Sequence, residues 1–129
     1  YPEAGNDDFE LLKVGRHFFG PNWFYLIVGR KESENQILYD KAGAQDILFK
    51  VASHPGPLSI LHFPKTNQVT QLETIPGENI KLAAAITARY SDAKNLPLAL
   101  IKYWTANDEP RFIEVASLDP SEVDDLLQK

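Results

Sequence analysis

The sequence contains no cysteine and no methionine. Without cysteine there is no disulfide framework and no thiolate-bound metal centre, which fits a cytoplasmic home. A chain that lacks methionine and opens on Tyr1 is expected to be a segment of a longer protein, with a polar leader over 1–8 and one domain over 9–129. No apolar run approaches the roughly 18 residues that suggest a bilayer span, and no secretory signal pattern is present, so no membrane partner is expected. Histidine is scarce: His17, His54 and His62 lie far apart, none at helical spacing from another, so no metal site is expected. The Gly-x-Ser-x-Gly elbow, the dinucleotide fingerprint and the P-loop are all missing, so neither a catalytic residue nor a cofactor is indicated. Asp40 and Asp46 flank a glycine turn and read as exposed acids, not as a working carboxylate pair.

What is present is an ordinary globular composition. Of 129 residues, 43% are hydrophobic and 24% charged, enough for one core and too few apolar gaps for disorder. The net charge of −5 at first opposes a nucleic-acid partner. Its distribution weakens that objection. Residues 1–10 hold four acids and no base, and residues 108–129 hold seven acids against Arg111 and Lys129. The stretch 11–107 carries eleven bases against seven acids, so a mildly basic middle lies between two acidic ends.

Hydrophobic patterning predicts strands over 9–19, 23–29, 46–51, 58–63, 96–104 and 111–116. The second of these, "WFYLIVG", is apolar at alternating and intervening positions alike, the pattern of a strand covered on both faces. Ser33 followed by Gln36 reads as a capping box, which predicts a helix over 34–42 with Ile37 and Leu38 inward and Gly43 as its stop. The polar stretch 64–79 is the longest loop expected. Leu82, Ile86 and Tyr90 form one stripe of a helix over 79–93, whose alanines let it lie close to a sheet. Asp119, Pro120 and Glu122 start a short C-terminal helix. The expected class is α+β, with a mixed or antiparallel sheet of five to six strands, two main helices and a short final one.

Cations punctuate this scheme. Gly29-Arg30-Lys31 stands where the second strand passes into a helix, and a helix start suits a phosphate. Glu32 and Glu34 occupy the same region and would repel one, so two readings stay open: long cationic side chains reaching a phosphate, or an ordinary solvated turn. Lys50 inside a strand, and Lys102 beside Tyr103 and Trp104, interleave cations with aromatics as single-strand nucleic-acid platforms do.

The run "YLIVGRKESENQILYDKAGAQDILFKVASHPGP", with "AAAITARYSDAK" and "ALIKYW", resembles the RNA-binding domain of NFACT proteins, the ribosome quality-control factors. The matching pieces are Val28-Gly29-Arg30, Asn35, Asp46-Ile47 with Phe49, Pro55-Gly56, and Tyr90-Ser91 with Ala93. The family's aromatic and histidine around that Phe are Leu48 and Lys50 here, and its Ser-His after Pro-Gly is replaced by Pro57 and Leu58. "VGRHF" (14–18) is similar to the branch in which the domain follows a tRNA thiouridylase-like enzyme of the ATP-pyrophosphatase type. The resemblance implies an accessory domain binding RNA, most of all tRNA, with the catalytic domain of its own parent chain as a second partner. Arg16, Arg30, Lys31, Lys50, Arg89, Lys94 and Lys102 would neutralise phosphates, while His17 and Tyr90 would stack on or hydrogen-bond an exposed base or ribose. The alternative is a protein-docking domain held to a partner by its acidic ends.

Overall fold

A computed structural model describes residues 14–20, 24–43, 46–62, 77–106 and 108–126. Among these, six strands form one sheet: β1 (Arg16–Phe19), β2 (Tyr25–Val28), β3 (Ile47–Val51), β4 (Ser59–Leu61), β5 (Ala99–Trp104) and β6 (Arg111–Val115). Their order is β1-β2-β4-β3-β5-β6, and every neighbouring pair runs antiparallel. The helices are α1 (Glu32–Lys41), α2 (Gly77–Arg89) and α3 (Pro120–Leu126), which completes the expected α+β architecture. The polar leader, residues 9–13 of the first expected strand and most of the expected loop lie outside the described residues.

Each face of the sheet has its own cover. Leu26 and Val28 point into the larger core with Phe18, Phe49 and Ile101, roofed by Ala83, Ala84, Ile86 and Ala88 of α2 and by Val123 of α3. Because α2 presents alanines, its backbone can approach the strands closely. The intervening Ile27 points the other way, into a smaller cluster with Leu48, Ile60, Leu58 and Leu38 of α1. The continuous apolar run of β2 therefore reports a strand buried on both sides. Leu82 and Tyr90 pack on the larger core with Ile86, so the stripe read for α2 holds, although the helix starts at Gly77 and ends at Arg89. Pro120 opens α3 as expected.

Four local expectations are corrected. The capping box does not form: α1 begins two residues early, with Lys31 at the N-cap and no side-chain cap bond, so Ser33 lies inside the first turn. Gln36 instead donates to Asp40, and Glu34 reaches back to accept the Arg30 backbone N–H at 2.9 Å. Asp46 is not an exposed acid. It is buried, accepts the Gly43 backbone N–H at 2.8 Å and lies 3.0 Å from Nδ1 of His62, so it ties the end of α1 to β4. The β5 strand begins at Ala99, and Leu96 and Leu98 before it are exposed. The expected inward Ile37 is only half-buried, whereas Leu38 is fully buried.

Candidate nucleic-acid interface

Where β1 begins, β2 ends and β4 approaches its start, the sheet edge opens into a cleft of about 240 Å³. Arg16, Arg30, Lys31 and Tyr90 line it, although 74 positions separate the first from the last in sequence. Arg16 pairs with Val28 in the β1–β2 register and so stands on the α2 side, with its guanidinium 4.7 Å from the centre of the Tyr90 ring. Arg30 and Lys31 come from the β2–α1 turn. Lys31 is exposed and has no ion-pair partner among the described residues.

Arg30 is held. Its Nε and Nη2 donate to Oε1 and Oε2 of Glu34 at 2.9 and 2.6 Å, and the same carboxylate caps the Arg30 N–H. These bonds from Arg30 outweigh the cost of burial and hold the Glu34 carboxyl down at about 2, while the pair raises the Arg30 guanidinium further. Glu34 is therefore the rear support of an outward-facing cation, which answers the repulsion expected from its sequence position.

Three glycines let the backbone close around this cleft. Gly15 has a positive φ of 77°, and a Cβ there would meet the Val28 carbonyl oxygen at 2.7 Å. Gly29 has no such φ; a Cβ at that position would overlap Oδ1 of Asn35. The strand exit thus needs glycine for close approach, not for a left-handed turn. At Gly56 a Cβ would lie 2.6 Å from Cβ of Ser91, where the Pro55 carbonyl accepts the Asp92 N–H at 2.9 Å. Asn35 is the hinge of the arrangement. Its Oδ1 accepts the Leu58 N–H at 3.2 Å, joining α1 to the segment that carries Gly56 and Pro57.

Asn35 also lines a second cleft, of about 230 Å³, along the flank of α1 above the sheet, with Glu32, Tyr39, Lys50 and Trp104. Lys50 is the direct cross-strand partner of Lys102, which lines neither cleft and is in turn opposite Phe112. The ammonium of Lys102 lies 5.0 Å from the centre of the Trp104 ring.

The remaining expected contacts are dispersed. His17 faces the α1 side opposite Ile27, half-buried, with Nδ1 2.7 Å from the Tyr25 hydroxyl. Burial lowers its pKa, partly offset by a hydrogen bond to Val14, so it is neutral near pH 7. Arg89 and Lys94 line neither cleft. Asn35, Tyr39 and Phe112 were not read as site residues from sequence. Asn35 stood out only as one of the pieces resembling the family, and nothing local marks Tyr39 or Phe112, because only the register and the packing of α1 bring these residues to the cations.

The model of a family described as NFACT protein RNA binding domain matches residues 15–126, which contain both clefts. No curated protein matches the chain. Among solved structures, the C-terminal part of the fibronectin/fibrinogen-binding protein from Streptococcus suis is similar, with a TM-score of 0.71 at 13% identity. The likeness covers 89% of this chain and 50% of that one, and at such identity it shows the fold alone.

Proposed function

This chain belongs to the NFACT RNA-binding domain family, and we propose that it is an accessory domain that binds tRNA for a thiouridylase-like modifying enzyme in its parent protein. The observation that carries RNA binding is the first cleft. It gathers Arg16, Arg30 and Lys31 from two separate segments, with no acid on its lining and Glu34 pinned behind Arg30. A phosphate entering it meets two guanidinium groups suited to paired hydrogen bonds and one mobile ammonium. Tyr90, already under Arg16, offers a ring beside that phosphate. The choice of tRNA and of the enzyme partner is supported by the "VGRHF" resemblance at residues 14–18.

Titration of the domain with tRNA across a salt series tests the proposal. Affinity should fall steeply with salt, by a log–log slope of about −0.7 to −0.9 per phosphate contact. A folded domain that binds no tRNA at low salt would refute it. Docking to a protein is the second reading, favoured by exposed Leu96 and Leu98 before β5, which neither cleft uses.

A further inference from the structure

Lys50 and Lys102 face each other directly across the β3–β5 pair, on the side of the sheet that α1 leaves partly open. Like charges placed opposite on one face repel, so this arrangement opposes folding. Neither lysine has an ion-pair partner among the described residues. An anion between them would relieve the repulsion. Around the pair stand flat, accessible surfaces. Phe112, directly opposite Lys102, is 57% exposed, and Tyr39, which lines the second cleft with Lys50, is 60% exposed. Trp104 lies two residues along β5, on the same face. Trp104 and Phe112 are diagonal neighbours, roughly 7–8 Å apart by strand geometry.

The two clefts divide their chemistry. The first is lined by cations and no acid, which suits phosphates. The second holds Lys50, the acid Glu32 and two aromatic rings, which suits a base more than a second phosphate. Asn35 lines both, and Pro57 and Leu58, consecutive in the chain, line one each. With Oδ1 engaged by Leu58, the Asn35 amide has its Nδ2 donor without a partner among the described residues. At the junction it is a donor for a ribose, phosphate or base oxygen.

Resting on the RNA-binding reading, we infer that the two clefts form one track for an unpaired RNA strand. Phosphates are held at Arg16, Arg30 and Lys31, and the strand passes Asn35 to the Lys50–Lys102 pair, where its bases stack on Trp104 and Phe112. Lys102 rests on the Trp104 ring when no strand is present and moves to a phosphate when a base takes its place. A duplex has its bases stacked internally and offers only its backbone, so it engages the first cleft alone.

The test compares a labelled single-stranded oligoribonucleotide of about ten nucleotides with a duplex of the same sequence. The single strand should bind about tenfold more tightly. Phe112→Ala and Lys50→Thr should each lower single-strand affinity several-fold to about tenfold and leave duplex affinity unchanged. Arg16→Ala and Lys31→Ala should weaken both probes. Lys50→Thr should also melt no lower than the parent, because it removes a repulsion, which separates lost contact from lost fold. Equal affinity for both probes, insensitive to Phe112→Ala and Lys50→Thr, would overturn the track while leaving RNA binding intact. Failure of the folded parent to bind either probe would instead overturn RNA binding itself, and the track with it.

Discussion

Arg30 and Glu34 are joined by two parallel hydrogen bonds of 2.9 and 2.6 Å, across one turn at the start of α1. The carboxylate is buried and the guanidinium side chain half open to solvent. The pair fixes the β2–α1 turn and leaves the outer edge of Arg30 free for an anion. The two adjacent cations therefore have different duties. Arg30→Ala should lower the thermal midpoint by several degrees, because it strands a buried carboxylate. Lys31→Ala should shift stability by no more than about 0.5 kcal/mol. Thermal melts of the two variants, followed by circular dichroism, check the contrast.

Acid should loosen the fold in two steps. His17 is lowered from 6.5 mainly by burial, so the unfolded chain binds its proton more readily than the folded one. Stability is full above about 6.5 and declines as the pH falls below it. Glu34, lowered from 4.5 to about 2 by Arg30, adds stability that is present above 4.5 and lost as the pH falls toward 2. Denaturant midpoints measured from pH 7 to pH 2 should show both declines. His17→Gln should remove the upper step, and Glu34→Gln the lower.

Gly29 should resist the smallest substitution. A Cβ would overlap Oδ1 of Asn35, which is fixed by Leu58 and cannot withdraw without breaking that bond. Gly29→Ala should cost about 1–3 kcal/mol, the range for overpacking a fixed neighbour. Gly29→Ala combined with Asn35→Ala should cost less than the two single changes added together, a coupling that urea titration of the four proteins would measure.

These pairings explain how far the sequence could be read. The six strands followed from hydrophobic patterning, α2 from its apolar stripe, α1 and α3 from helix start and stop signals, and the double cover of β2 from its uninterrupted apolar run. The cluster of Arg16, Arg30, Lys31 and Tyr90 was legible as a set of residues but not as one cleft, because its geometry depends on Gly29 and Gly56 making close tertiary approaches. Ser33 and Gln36 matched a local capping pattern, yet the helix starts two residues earlier, where Glu34 binds the Arg30 guanidinium and accepts the Arg30 backbone N–H. Asp46 looked exposed beside a glycine, and its burial required His62, sixteen residues on. Phe112 drew no notice because its meaning lies in the β5–β6 register that sets it opposite Lys102.

The central claim, that the basic cleft is where RNA binds, is tested most directly by amide chemical-shift mapping during titration of the labelled domain with tRNA. Gly29, Arg30, Lys31 and Asn35 should shift most, joined by Gly56 and Tyr90 around the same cleft. Those shifts should fade as salt is raised, in step with the affinity. Perturbations confined to Leu96 and Leu98 or to α3, with the cleft unmoved at saturation, would contradict the account.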